Sequence, residues 1–438
     1  MKLALISPKG KISNNPAFID FWNSSKDIDF YRNHFTGSSS GLLIMASLTP
    51  KDWEIDLIDE NLEDINFDKD YDLIGLGSMT QQATRAYEIA DKFRKKGSKV
   101  VMGGIHATVL FEEAKEHVDS VVIGEGEEIW PNVLSDFIDN KLKPYYKSES
   151  FFDLTKSPIP RYDLLDPNKY KTIWIQTTRG CPIDCEFCCA SNVYGSKFRY
   201  KTVNQIVKEL EKIKSIWGRK ALINFADDNM FVNKKFSSEL IAEIKRLKIR
   251  WFAQTDISVS DDEDFLTLLK DSGCAILFVG FESLNYDNFK TMNKSNKKAK
   301  YFKDYSKIIA KIQRHGIGIM GSFIVGFDGD DVSVFDKTAN FIIENDLFAT
   351  QATVLTPLPG TRLQKRLSKE NRLIVSKWDN YTFTNVNFKP NKMSISELEK
   401  GLLNIYKKVY SREVTLKKTQ YFRKIYIDLE RQKIDRGI

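Results

Sequence analysis

Short apolar runs alternate with amphipathic helical stretches through most of this chain, and that alternation restricts its folding more than any other feature. In the first 145 residues LALIS (3–7), EIDLID (54–59), DLIGLG (72–77), KVVMGG (99–104) and SVVIGEG (120–126) read as strands. Between the third and fourth, QQATRAYEIADKFRKKG sets Ala83, Ala86, Tyr87, Ala90 and Phe93 at helical spacing and ends on Gly97, a natural C-cap. Strand, helix and strand in about thirty residues make a βαβ unit. Such units predict a doubly wound parallel sheet, a Rossmann-like α/β domain over 1–145.

A second series follows. IWIQT (173–177), LINFA (222–226), RWFAQ (250–254), ILFVG (276–280), IMGSFIV (319–325) and QATVL (351–355) read as strands. Helical patterns such as 203–217, 237–248 and 335–345 separate them. Six βα units predict a (β/α)6 partial TIM barrel over 171–370, with chemistry at the carboxyl ends of its strands. Residues 146–170 lose periodicity and carry Pro158, Pro160 and Pro167. They read as an ordered linker, because Phe151, Phe152, Tyr162 and Leu164 need something to pack on. From 371 to 438 the pattern changes to a mostly helical C-terminal extension with a basic tail.

Composition narrows the setting. With 42% hydrophobic and 29% charged residues in 438 positions, the chain has the material for several domains. No apolar run approaches the roughly 20 residues of a membrane-spanning helix. The opening MKLALISPKG is cut short by Pro8, so no secretory signal is read there, and a cytoplasmic location is expected. The net charge of +7 does not argue for nucleic acid: residues 401–438 alone hold 10 Lys and Arg against 4 Asp and Glu. That tail reads as a solvated face, with contact to a membrane surface as the alternative.

In doubly wound sheets ligands bind beyond the carboxyl ends of the strands. Three Gly-rich loops fall there: GSMT (77–80), GGIHAT (103–108) and GEGEE (124–128). Glycines let a large ligand approach the backbone, and Ser78, Thr80, Thr108 and the amides around Gly103, Gly104, Gly124, Glu125 and Gly126 offer hydrogen bonds. The competing reading is that these are simply tight turns.

Four of the five cysteines lie within nine positions of TTRGCPIDCEFCCASNVYG (177–195), directly after the first barrel strand. Five cysteines in a chain this long are too few for a disulfide scaffold. Cys181, Cys185 and Cys188 are spaced C-x3-C-x2-C, which suits three irons of a [4Fe-4S] cluster and leaves the fourth iron open. A structural zinc site would need a fourth ligand, and none of the histidines, His34, His106, His117 and His315, is nearby in sequence. Cys189 and Cys274 read as small buried hydrophobes.

With Phe187 before its last cysteine, the triad resembles the signature of radical S-adenosylmethionine enzymes, and the chain as a whole resembles the class with an N-terminal cobalamin-binding domain. The C-terminal segments TPLPGTRLQKRLSKENRLI and WDNYTFTNVNFKPNKMS resemble the branch that includes hopanoid methylases. The resemblance implies a [4Fe-4S] cluster on Cys181, Cys185 and Cys188, S-adenosylmethionine on the open iron, and cobalamin on the first domain. It sets Phe187 against the adenine. Within FADDNMF, Asp227, Asp228 and Asn229 become candidates for the methionine amino group, and Gln254 and Glu282 for ribose or carboxylate contacts. Asp328 in GSFIVGFDGD stands where the family has an acid near the adenine.

One departure is plain: no DxHxxG occurs, so the histidine that binds cobalt in methionine-synthase-like proteins has no counterpart. His106 lies in a suitable loop and is the candidate in its place. The implied activity is methylation of an unactivated carbon by way of a 5′-deoxyadenosyl radical and methylcobalamin. Cyclisation, rearrangement or C–C coupling on the same fold is the alternative, and a non-catalytic iron-sulfur or cobalamin sensor a second. Expected partners are a small-molecule, lipid or peptide substrate and a one-electron reductant such as flavodoxin or ferredoxin, with no nucleic acid.

Overall fold

The computed structural model describes residues 1–28, 37–292 and 297–435. Its first sheet contains β1 (Lys2–Ser7), β2 (Glu54–Asp59), β3 (Leu73–Gly77), β4 (Lys99–Gly103), β5 (Ser120–Ile123) and β6 (Tyr145–Lys147), in the order β2-β1-β3-β4-β5-β6. All pairs are parallel. The alternate residues of each strand feed two separate cores. Ala4, Ile6, Ile74, Leu76, Val100 and Met102 pack under the helix Ala83–Lys95, whereas Leu3, Leu5, Leu73, Val101 and Val122 meet the helices Ser40–Ser47 and Trp130–Ile138. Burial of both faces explains why these strands read as continuous apolar runs. The sixth strand, β6, crosses the expected start of the linker; three residues with only Tyr146 buried carry too little pattern to be read.

After β7 (Thr172–Ile175) the chain enters a short antiparallel ribbon, β8 (Thr178–Arg179) with β9 (Arg199–Tyr200). The second sheet continues with β10 (Leu222–Phe225), β11 (Arg250–Thr255), β12 (Cys274–Glu282), β13 (Gly318–Val325) and β14 (Ala349–Val354), in the order β14-β13-β12-β11-β10-β7. Every pair is again parallel. This is an open half-barrel. Its outer face, with Ile223, Phe225, Trp251, Leu277, Val279, Phe281, Phe323 and Val325, is fully buried under the helices.

The C-terminal extension closes two openings that six strands leave. Along the free edge of β14, the Tyr410 hydroxyl donates to Thr350 O (2.8 Å) and accepts from Thr350 N (3.0 Å), Tyr406 donates to Ala352 O (2.9 Å), and Val354 N donates to Phe383 O (2.8 Å). Tyr406 of the helix Ile395–Val409 and its C-cap Tyr410 thus satisfy an edge that would otherwise pair with another strand. The basic tail, helix Arg412–Asp435, lies beneath the barrel: Phe422 packs edge-on against Phe348, next to Gly318 at the start of β13, and the Tyr426 hydroxyl reaches Gly316 O at 3.5 Å. Among the described residues no helix is long and apolar enough to cross a membrane.

Candidate active site

The cysteine loop hangs from the β8–β9 ribbon, and buried Asp227, just past β10, fastens its stem. Thr177 N and Thr178 N donate to one carboxylate oxygen (2.7 and 2.6 Å) and the Thr177 hydroxyl to the other (2.6 Å). Burial pushes Asp227 up to about 6 in spite of these bonds. Gly180 at φ +89° brings the ribbon strands together, since a Cβ there would lie 2.3 Å from Lys197 O.

Beyond that glycine come the thiols. Cys185 is buried, and Cys181 and Cys188 are half-buried. Burial pushes Cys181 up to about 11, Cys185 up to about 12 and Cys188 upward, and each of the first two also feels Cys188. Unliganded, these are neutral thiols, so only a strongly positive partner would hold them as thiolates. Among the described residues no three His, Cys, Asp or Glu could hold a single metal ion. Three mutually close thiols without a fourth ligand suit a cluster, in which each thiolate has its own iron, better than a zinc ion. Cys189 opens the helix Cys189–Val193, burial pushing its thiol up to about 12, and Cys274 lies buried in β12. His34 lies outside the described residues.

The polar residues at the strand ends separate into engaged and available groups. Asn229 donates to Asp256 (2.6 Å), which leaves its buried Oδ1 without a partner. Glu282, at φ +66° after a register shift in β12, pairs with buried Lys298 at 2.5 Å. Asp328 is held between Arg366 and Arg372, both at 2.7 Å, rather than turned toward the barrel mouth. Phe187 stands edge-on to Phe327 at the end of β13, centroids 6.0 Å apart, so the cysteine loop and the fifth-strand motif meet. Asp228 differs from its neighbours: it is solvent-accessible near Cys181 and Cys188, accepts a backbone hydrogen bond from Gly180, and desolvation of its carboxyl raises it above the usual range. Lys298, whose charge bears on Cys185 and Cys181, escaped the sequence reading because KSNKKAK looks like a solvated basic run.

The Gly-rich loops of the first sheet turn toward this site, for the helix Ile105–Val109 packs against the helix Cys189–Val193. Gly104, at φ +97°, lets the β4 loop rest on Ser78, whose backbone oxygen would lie 2.6 Å from a Cβ. Ser78 donates to Met79 O, and Thr108 donates to Gly104 O while accepting from Gly124 N (3.0 Å), tying the GGIHAT and GEGEE loops together. Thr80 is buried in the β3 loop. Gly77, Ser78, Gly103, Gly104, Gly124 and Gly126 lie at the carboxyl ends of β3, β4 and β5, to one side of the point between β1 and β3 where the strand order reverses. A Cβ at Gly77, Gly104 or Gly126 would meet Leu42, Ser78 or Met45, so these glycines also serve the close packing of the domain itself.

His106 is not on that edge. It is fully buried, Nε2 lies 2.9 Å from the Tyr87 hydroxyl, Trp378 of the extension stands edge-on to its ring, and Nδ1 has no partner. Burial lowers it to about 4, so it is neutral. Glu125 also turns elsewhere. It accepts from Phe152 N (2.5 Å) and pairs with Arg179 (2.9 Å) and Arg199 (2.8 Å), while Glu127 takes the other arm of Arg179.

The half-barrel's concave face is lined mainly by aromatic, aliphatic and neutral polar side chains, with the Glu282–Lys298 ion pair lying over the inward Gly280. Trp174, Asn224, Phe252 and Ile276 share one register across four strands, Gln254, Phe278 and Met320 the next, and Ser322 with Gln351 and Ile324 with Thr353 lie above them. Buried Trp174 Nε1 and Asn224 Oδ1 have no hydrogen-bond partner.

Comparison with known proteins agrees with this geometry. The family model of the Radical SAM superfamily matches residues 175–342, that of the B12 binding domain residues 36–134, and that of a domain of unknown function residues 361–436. The chain is 30% identical over 392 residues to the bacteriochlorophyllide d C-8(2)-methyltransferase of Chlorobaculum tepidum, covering 86% of each chain. It is 31% identical over 388 residues to the bacteriochlorophyllide d C-12(1)-methyltransferase of that organism, covering 86% of this chain and 84% of that one. Among solved structures it resembles the radical S-adenosylmethionine methyltransferase TsrM from Kitasatospora setae with cobalamin and [4Fe-4S] cluster bound. The TM-score is 0.67 at 15% identity over 84% of this chain and 78% of that one.

Proposed function

The chain belongs to the cobalamin-binding radical S-adenosylmethionine methyltransferases, and we propose that its methyl acceptor is an apolar polycyclic molecule, a cyclic tetrapyrrole first among the candidates. The concave face supports this reading: between the cysteine loop and the Phe348–Phe422 floor, the inward strand positions are mainly aromatic, aliphatic or neutral polar, and the charges of Glu282 and Lys298 over Gly280 neutralise each other. Such a surface accepts a flat ring system and disfavours a substrate that buries formal charge. The bacteriochlorophyllide methyltransferases among the relatives support the tetrapyrrole.

When bound, the cluster and S-adenosylmethionine supply a carbon radical and cobalamin supplies the methyl group. The chain's part is to hold, orient and exclude water. Cys181, Cys185 and Cys188 would hold the cluster. Asp228, the exposed carboxylate near them, would receive the ammonium of S-adenosylmethionine, and Phe187 with Phe327 would border the adenine. Asp227 fixes the ribbon that carries the cysteine loop. The Gly-rich edge of the first sheet would hold cobalamin. Buried His106, bonded to Tyr87, would not take part.

A one-electron carrier such as flavodoxin or ferredoxin feeds the cluster. The basic tail serves the barrel floor, and contact of its outer side with an anionic membrane surface is tested by sedimentation with phosphatidylserine vesicles.

Anaerobic incubation with a chlorophyllide-type tetrapyrrole and S-adenosylmethionine deuterated in its methyl group tests the acceptor. The product should carry the deuterated methyl on a ring substituent. Methylation of a carboxylate-rich peptide in preference to the tetrapyrrole would refute this choice.

A further inference from the structure

The segment matching a domain of unknown function begins at residue 361, and its first helix, Arg362–Lys369, lies on the cysteine loop. Arg362 donates to the Asp184 carboxylate (2.8 Å), to Asp184 O (2.7 Å) and to Asn192 Oδ1 (3.4 Å). Asn192 in turn donates to Cys188 O (2.6 Å) and Cys185 O (3.3 Å). One turn on, Arg366 grips Glu186, between the second and third cysteines, with two nitrogens at 2.8 and 3.2 Å. Its remaining arm reaches Asp328 in the loop after β13 (2.7 Å). Leu363 N donates to Glu186 O (3.0 Å), and from the opposite side Glu186 N donates to Met292 O (2.9 Å).

We propose that this helix is the clamp of the cluster loop and that Arg366 is its positioning residue, locking the loop to the fifth-strand motif. Both acids of the CPIDCEFC loop are thus spoken for by arginines of this helix, and Glu186 is nearly buried against Arg366. A bidentate guanidinium fixes direction as well as distance, which a lysine cannot reproduce. The loop conformation that presents three thiols at once, with Asp184 held at φ +51°, is over-determined by contacts outside the loop itself. The clamp rests on the reading that Cys181, Cys185 and Cys188 hold the cluster, but it can be measured without iron.

The test is amide hydrogen exchange on the iron-free full-length chain, followed by iron content after reconstitution and desalting. Arg366→Gln should speed exchange of peptides spanning 181–192 by about ten-fold, leave peptides of the first sheet unchanged, and lower retained iron. Arg366→Lys should recover the exchange protection only in part. Glu186→Gln probes the same contact from the loop side should Arg366→Gln fail to fold. Wild-type protection of 181–192 in either variant overturns the proposal, as does loosening spread evenly over both domains. Failure of the wild type to bind iron would refute the cluster reading, and the exchange measurement would still decide the clamp.

Discussion

Arg179, two residues before Cys181, forms an ion pair with Glu125 of the other domain at 2.9 Å, both side chains almost wholly buried. Its second arm takes Glu127, and Arg199 from the opposing ribbon strand completes the set with Glu125 at 2.8 Å. Two cations and two anions cancel, and the GEGEE loop of the cobalamin domain is thereby bolted to the stem of the cysteine loop.

Removing one partner leaves buried charge uncompensated. Arg179→Gln should cost about 3 kcal/mol in denaturant unfolding of the iron-free protein and reduce cobalamin retention on gel filtration. Glu125→Gln, which leaves buried Arg199 without a carboxylate, should cost a similar amount.

Tyr410 makes a separate stability prediction. Its hydroxyl is both donor and acceptor to Thr350 on the free edge of β14, so Tyr410→Phe strips two buried backbone groups of their partner. A loss of about 2 kcal/mol is expected, and Tyr406→Phe, with one bond to Ala352, should lose about 1 kcal/mol. Urea titration of the apoprotein reads both.

The neighbouring acids Asp227 and Asp228 should separate cleanly. Asp228→Asn keeps the fold and the cluster but should weaken S-adenosylmethionine binding by about ten-fold, read by its perturbation of the reduced cluster's EPR spectrum. Asp227→Asn should leave that affinity near wild type and lower the melting temperature instead, because its oxygens serve Thr177 and Thr178.

His106 gives the fold a pH dependence. Its unfolded value of 6.5 falls to about 4 in the fold through burial, so the unfolded chain takes up a proton that the folded chain refuses. The His106 contribution is complete above pH 6.5 and is lost as pH falls toward 4, amounting to about 2 kcal/mol by pH 5. Stability of the iron-free protein at pH 7.5 and 5 should differ by that much more in the wild type than in His106→Gln.

What could be read from the sequence was whatever local pattern records. All six half-barrel strands and the helix Val203–Trp217 announce themselves through period and capping, and the cysteine spacing places the loop. Residue types at strand ends are less informative, since one carboxylate can serve a ligand or a neighbour. Asp227, Asn229, Glu282 and Asp328 all turned to protein partners, and Asp228, held by a backbone hydrogen bond from Gly180, is the one of that set that stays exposed. The partners were invisible because they are distant in sequence: Arg366 lies 180 residues from Glu186, and Arg179 lies 54 from Glu125. Strand β6 and the tyrosine-sealed edge of β14 escaped for the same reason, as nothing local marks a hydroxyl that completes a sheet.

The most direct test of methyl transfer by this chain is anaerobic turnover with cluster, cobalamin, reductant and a tetrapyrrole acceptor, quantifying both products of S-adenosylmethionine. S-adenosylhomocysteine and 5′-deoxyadenosine should appear together in the wild type. 5′-Deoxyadenosine should vanish when Cys181, Cys185 or Cys188 is replaced by Ala, and both products should persist in Cys189→Ala. 5′-Deoxyadenosine formed without S-adenosylhomocysteine, while the acceptor is consumed, would contradict methyl transfer and assign the chain to another radical outcome.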